Sequence, residues 1–80
     1  MTLDRMLPGS RACIASLNGE PALLQRLYEL GLLEGESVEM LAIAPLGDPV
    51  EIRCGGARLS LRKSEAAGVR LVDQSNANSK

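Results

Sequence analysis

Apolar and polar residues alternate along five short stretches of the chain, and this period of two is typical of β-strands that bury one face. Turn-forming Gly, Pro and Asn residues separate the stretches, so we expect tight connections between the strands. The predicted strands cover residues 10–17, 37–44, 50–54, 57–62 and 69–72. The side chains expected to face inward from the first four are Ala12, Ile14, Val38, Met40, Ala42, Val50, Ile52, Cys54, Ala57, Leu59 and Leu61.

One segment, residues 20–30, follows a helical period instead. Its apolar stripe consists of Leu23, Leu24, Leu27 and Leu30. Pro21 suits the first helical turn, where its missing N–H removes no hydrogen bond. Gly31 follows the stripe at the position where a left-handed cap favours glycine. The pattern therefore predicts one amphipathic helix that packs its leucine stripe against the sheet.

The remaining segments are interpreted as connections and ends. They are a lead-in at residues 1–7, a short helical turn at 63–68 and a flexible polar tail at 73–80. Gly35 lies at the tip of a turn, and Gly55-Gly56 predicts a two-residue hairpin because glycine accepts the positive φ that such turns require. So few strands bury their apolar faces best by curling. We therefore predict a mainly β fold over residues 1–72, a small, partly open SH3-like five-stranded β-barrel with one inserted α-helix.

Composition narrows the classes of function. The 80 residues carry 9 Lys and Arg against 10 Asp and Glu, and this net charge of −1 argues against a general binder of nucleic acid. The chain has no His, and Cys13 and Cys54 lack the CxxC spacing of a zinc or redox site, so we expect no catalytic residue, no cofactor and no metal site. No apolar stretch is long enough to cross a membrane or serve as a signal peptide, so we expect a cytoplasmic protein without membrane insertion.

Three segments in a fixed order carry a resemblance. They are the LGL…G pattern of Leu30, Gly31, Leu32 and Gly35, the PLGDP loop of Pro45, Leu46, Gly47, Asp48 and Pro49, and the LR..EA pattern of Leu61, Arg62, Glu65 and Ala66. Together they resemble the FeoA family, small cytoplasmic proteins of bacterial ferrous iron uptake. The same type of domain closes iron-dependent repressors. The resemblance runs from about Leu7 to Val72 and implies the SH3-like barrel with its inserted helix.

The resemblance implies a non-catalytic accessory protein that acts by protein–protein interaction on FeoB, a membrane transporter with a cytosolic GTP-binding domain. The alternative is a stand-alone SH3-like interaction module in iron-dependent transcription regulation, although the chain leaves no room for a recognition helix. A reader of proline-rich peptides needs an aromatic-lined groove, and Tyr28 is the only aromatic residue. A small hydrolase lacks a recognisable nucleophile–base pair.

Partner contacts are expected first at the PLGDP loop, because two prolines restrict its shape before any partner binds. Leu46 is either an exposed apolar anchor or a side chain tucked inward within a rigid connection. The ring of Tyr28 either contacts a partner or completes the edge of the core. Leu32 is a further candidate contact. The positions expected to maintain the fold are Leu27, Leu30, Gly31, Gly35, Gly55, Gly56, Leu61, Glu65 and Ala66.

Positive charge is concentrated in the second half of the chain. Residues 1–49 carry 3 basic and 7 acidic side chains, whereas residues 50–72 carry 5 basic and 2 acidic ones. We expect Arg53, Arg58 and Arg62 to point outward from one hairpin. They face either an acidic partner, the acidic half of a second copy in a homo-oligomer, or solvent alone.

Oxygen and sulfur ligands are few. Asp48, Glu51 and Glu65 could in principle bind a hard cation, but scattered carboxylates on a nearly neutral domain are usually solvated. Cys13 is expected to face outward, where a thiol in a reducing compartment usually stays idle. We therefore predict no metal among the chain's cofactors.

Overall fold

Five antiparallel strands and one inserted helix make up most of the structure. The computed structural model describes residues 1–72, so the predicted tail at residues 73–80 lies outside the described residues. The elements, in chain order, are a 3-10 turn (Leu3–Arg5), β1 (Arg11–Leu17), α1 (Pro21–Glu29), β2 (Ser37–Ile43), β3 (Val50–Cys54), β4 (Ala57–Leu61), α2 (Lys63–Ala66) and β5 (Val69–Leu71). The sheet order is β4-β3-β2-β1-β5. The prediction of a mainly β, five-stranded fold with one inserted helix is confirmed.

The core is aliphatic and draws on every element of the fold. Within residues 1–72, no polar or charged residue is buried. The buried residues are Leu3, Met6, Ala12, Ile14, Leu17, Leu27, Leu32, Val38, Met40, Val50, Ile52, Cys54, Leu61, Ala66, Val69 and Leu71. Burial of apolar surface is therefore the main favourable term that holds the elements together.

Helix α1 ends in a cap that is closed by two backbone hydrogen bonds. The N–H of Gly31 donates to the carbonyl of Tyr28, and the N–H of Leu32 donates to that of Leu27. This pair of bonds is a Schellman motif, and Gly31 adopts the left-handed φ of +94° that the motif requires. Leu27 and Leu32 are both fully buried beneath it. The cap predicted at Gly31 is confirmed, and of the stripe only Leu27 is fully buried, while Leu23, Leu24 and Leu30 pack partly against the core.

Two β-bulges interrupt the predicted alternation. In β2 the register with β3 shifts between Met40 and Ala42, so Leu41 is the extra residue. Beyond it, Ala42 is exposed and Ile43 becomes half-buried, so the prediction that Ala42 faces inward is wrong. A similar shift lies in β1 between Ile14 and Ser16. Both bulges increase the local twist of the sheet, which favours curling.

The edge strand β4 is less buried than its pattern predicts. It pairs with β3 alone, and it ends the sheet. Leu61 is buried, Leu59 is half-buried, and Ala57 is exposed, so the inward assignment of Ala57 is wrong. Ala57 lies at the hairpin end of an edge strand, where no further strand covers it. The prediction of a hairpin at Gly55-Gly56 is confirmed, with φ values of +61° and +85°.

The segment interpreted as a lead-in belongs to the core. Leu3 is fully buried and Met6 is 3% exposed. Thr2 forms a bridge with Arg70, and the N–H of Leu71 donates to the carbonyl of Met1 at 2.8 Å. The 3-10 turn is too short to show a period, so neither Leu3 within it nor Met6 after it gave a signal of burial. No helix among residues 1–72 is long and apolar enough to cross a membrane.

We predict that Leu3→Ala lowers the free energy of unfolding by about 2–4 kcal/mol, because it opens a cavity in a closed aliphatic core. Leu7→Ala is the matched control, since Leu7 is 73% exposed, and it should change stability by less than about 0.5 kcal/mol. Urea unfolding of both variants measures the difference. Equal stability of the two variants would show that the first segment does not contribute to the core.

Candidate functional site

The PLGDP loop, residues 45–49, projects between β2 and β3. Leu46 at its tip is 96% exposed, which decides between the two expectations for this side chain in favour of the exposed one. The loop closes on itself through two backbone hydrogen bonds. The N–H of Gly47 donates to the carbonyl of Ala44 at 2.7 Å, and the N–H of Ala44 donates to that of Pro49 at 3.1 Å. A leucine is thus held in solvent on a constrained loop.

Asp48 ties this loop to α2. Its Oδ1 accepts the backbone N–H of Lys63 at 2.8 Å, at the first residue of that helix. The first N–H groups of a helix have no partner within it, so a carboxylate there satisfies an otherwise open donor. The conformation of the loop is therefore coupled to the segment that follows β4.

Glu65 connects the same helix to α1. Its Oε1 accepts the backbone N–H of Arg62 at 2.9 Å, and its Oε2 lies 2.5 Å from Nε of Arg26. The side chain of Glu65 is only 16% exposed, whereas that of Arg26 is 54% exposed. One carboxylate thus stabilises the start of α2 and holds it against α1.

Two shallow depressions flank the loop. One, of about 400 Å³, is lined by Arg26, Asp48, Pro49, Ser60, Leu61, Arg62 and Glu65. The other, of about 480 Å³, has a more apolar lining made by Ala42, Ile43, Ala44, Pro45, Pro49, Val50, Glu51 and Ser60. Both share Pro49 and Ser60, so they lie side by side. The structure therefore brings the PLGDP loop together with the LR..EA segment, and it adds Arg26 and Lys63, which the sequence patterns did not single out.

Tyr28 lies apart from the loop, on the outer side of α1. Its ring is 43% exposed, and its hydroxyl donates to Oε2 of Glu34 at 2.9 Å. This hydrogen bond, together with partial desolvation and the negative charge of Glu34, raises the pKa of Tyr28 above its ordinary value of 10.0. The contact joins the end of α1 to the turn before β2.

Leu32 cannot serve as an exposed contact in this structure, because its side chain is fully buried under the cap of α1. Its assignment as a partner residue is therefore corrected to a core residue. Three of the positions expected to maintain the fold are buried, namely Leu27, Leu61 and Ala66. Glu65 has the wider role described above.

The three arginines expected on one hairpin divide into two places. Arg53 and Arg58 oppose each other on β3 and β4. Arg62 follows the end of β4 and lines the depression beside the loop. Arg62 is exposed as well, but it lies one residue beyond the end of β4 at Leu61.

The candidate cation ligands do not converge. Glu51 pairs with Arg58, while Asp48 and Glu65 accept the backbone donors described above. Within residues 1–72, no three Asp, Glu or Cys side chains are grouped closely enough to hold a metal ion. Cys13 is exposed and Cys54 is buried, as their alternation predicts. Burial, with a smaller effect of the Glu36 carboxylate, raises the pKa of the Cys54 thiol above its ordinary value of 9.0.

We predict that Glu34→Gln lowers the pKa of Tyr28 toward 10.0, because the charged acceptor of its hydroxyl is removed. Tyr28 is the only aromatic residue, so the near-ultraviolet absorbance of its phenolate reports this group alone. Glu29→Gln, which removes a carboxylate bonded to Gln25 instead, is the control and should leave the titration unchanged.

The raised pKa of Tyr28 also makes the stability of the folded protein depend on pH. The hydrogen bond to Glu34 stabilises the folded protein below pH 10.0, where Tyr28 is protonated in both states, and this contribution is lost as the pH rises through the raised pKa. The prediction is contradicted if Glu34→Gln and wild type titrate identically.

Comparison with known proteins is consistent with this arrangement. The family model of the FeoA domain matches residues 1–72. The chain is 32% identical over 80 residues to an Fe(2+) transport protein A/Fe(2+) transporter FeoB fusion protein of Porphyromonas gingivalis. That match covers 99% of this chain and 10% of the fusion protein, so the chain spans about a tenth of its relative's length.

Solved structures share the fold. The FeoA protein of Chlorobium tepidum is 42% identical with a TM-score of 0.82, over 89% of this chain and 68% of that one. FeoA of Stenotrophomonas maltophilia, a prokaryotic SH3 domain protein in complex with zinc, is 36% identical with a TM-score of 0.78, over 90% of this chain and 89% of that one. The SH3-like class is thereby confirmed.

One further likeness concerns the fold alone. A manganese-dependent transcriptional repressor is 16% identical with a TM-score of 0.84, over 91% of this chain and 41% of that one. The family model covers nine-tenths of the chain, from its first residue through β5. With the ordered LGL…G, PLGDP and LR..EA segments in place on an SH3-like barrel, this chain belongs to the FeoA family.

Proposed function

We propose that this protein is a non-catalytic accessory protein of ferrous iron uptake, which acts in the cytoplasm by binding a FeoB-type transporter. The observation that carries the proposal is the fusion protein of Porphyromonas gingivalis, in which the segment matching this whole chain is joined to a FeoB transporter. A covalent link raises the effective concentration of one module at another, and this is useful when the two modules bind each other.

The distribution of chemical groups in the structure supports a binding role. The sequence contains no His, the most common general base. Around the PLGDP loop, the carboxylates of Asp48 and Glu65 are engaged with backbone N–H groups. The site therefore offers a defined shape and an apolar tip, and its acidic groups hold that shape.

We place the contact with the transporter at the PLGDP loop. Leu46 is the most exposed large apolar side chain of the described residues, at 96%. The backbone hydrogen bonds of the loop and the bond from Asp48 to α2 restrict its conformations before binding. A pre-ordered loop loses little conformational entropy on association, so burial of Leu46 contributes directly to affinity. The two flanking depressions give room for side chains of the partner.

Leu46→Asp is predicted to weaken binding to the transporter at least tenfold. Burying a leucine contributes about 1.5–3 kcal/mol, and an aspartate in the same pocket adds an unfavourable desolvation. Leu7→Asp is the matched control, because Leu7 is also exposed but lies before β1. The Kd of each protein for purified full-length FeoB of the same organism measures the effect, and thermal unfolding verifies that both variants remain folded.

Two results would contradict the proposal at different levels. If wild-type protein does not bind full-length FeoB, and deletion of the protein leaves ferrous iron uptake unchanged, the proposed function is wrong. If wild type binds and Leu46→Asp binds equally well, the partner is correct but the contact lies outside the PLGDP loop.

A further inference from the structure

Four residues lie in direct register across four neighbouring strands and form one line over the outer face of the sheet. Arg11 on β1 opposes Glu39 on β2, Glu39 opposes Arg53 on β3, and Arg53 opposes Arg58 on β4. We name these four residues the arginine row. Since neighbouring strands are about 4.8 Å apart, Arg53 and Arg58 are adjacent, and Arg11 lies roughly 10 Å from Arg53 across Glu39.

The carboxylates that pair with the arginines of this row are more covered than the arginines themselves. Glu39 lies 3.3 Å from Arg53 and 3.7 Å from Arg11, and Glu51 lies 2.8 Å from Arg58. The side chains of Glu39 and Glu51 are 25% and 38% exposed, whereas the three arginine side chains are 49–69% exposed. The carboxylates therefore lie beneath and orient a layer of guanidinium groups that faces outward.

The ion pairs leave part of each guanidinium free to bind. Arg53 donates to Glu39 through Nη1 alone, and a guanidinium carries five N–H donors. Arg53 and Arg58 also stand directly opposite each other, and like charges in that relation destabilise a sheet. Exposed ion pairs contribute little to stability, so the ion pairs of Arg53 and Arg58 do little to stabilise the fold. An external carboxylate would gain paired hydrogen bonds and relieve the repulsion.

We propose that the arginine row is a docking surface for an acidic segment of another protein, one that presents at least two carboxylates. An extended segment repeats its side chains about every 7 Å on one face, within reach of flexible arginines at these spacings. A small depression of about 170 Å³ borders the row at the hairpin, lined in part by Gly55 and Gly56. Nucleic acid is disfavoured, because Glu39 interrupts the positive charge and the chain carries a net charge of −1.

The test uses a fluorescein-labelled peptide of alternating Glu and Ser, with binding measured by fluorescence anisotropy at low salt. The double variant Arg53→Gln with Arg58→Gln should bind about tenfold more weakly than wild type. Arg70→Gln removes an exposed positive charge from β5, outside the row, and should change the affinity by less than about twofold. This control separates the row from the overall charge of the protein.

Glu39→Gln distinguishes docking from a merely structural role. Without the internal carboxylate, Arg11 and Arg53 are freed for the peptide, and affinity should rise about threefold. If the double variant does not stay folded, Arg53→Gln and Arg58→Gln alone are each expected to weaken binding about threefold.

Several outcomes would overturn the proposal. They are no peptide binding by wild type, an equal loss from Arg70→Gln and the double variant, weaker binding by Glu39→Gln, or tighter binding of a single-stranded DNA of the same length than of the peptide. The proposal does not depend on the transporter, so its failure leaves the proposed function open and the reverse also holds.

Discussion

The structure depends on one constraint, which is that all of its buried volume is filled by aliphatic and sulfur-containing side chains. No polar or charged residue is buried among residues 1–72. Hydrophobic burial is strong but not directional, so it does not by itself choose between alternative packings. One packing is favoured by backbone features at the surface of this core. These features are the Schellman cap after α1, the two bulges and the glycine hairpin. Within residues 1–72, the charged side chains are consequently left exposed or half-buried at the surface.

The candidate site is held in place by hydrogen bonds and an ion pair at the surface of this core. Asp48 and Glu65 are separated from each other in sequence, yet both stabilise the backbone at the start of α2. Through Arg26, the same network reaches α1. The PLGDP loop is therefore fixed by a contact to α2, which is itself held against α1, although Leu46 at the tip of the loop is almost fully exposed. A rigid support beneath an exposed apolar side chain is the arrangement expected of a binding loop.

Much of the fold could be predicted from the sequence, because its signals are local. Alternation located the strands, and Pro21 and Gly31 marked the ends of α1. The errors have local causes as well. A bulge at Leu41 displaced Ala42 outward, and the 3-10 turn containing Leu3 was too short to show a period. The site was only partly predictable, because the contacts of Arg26 and Lys63 join positions that are distant in sequence and are created by the fold itself.

Strand β4 closes one edge of the sheet and pairs only with β3. An open edge can template the addition of a foreign strand, which is a common route to aggregation. Arg58 lies on this edge strand and pairs with Glu51 of the neighbouring β3, and charged side chains on an edge strand disfavour the approach of a foreign strand. The residue that opposes Arg53 in register is therefore also one of the charged side chains that protect the exposed edge of this sheet.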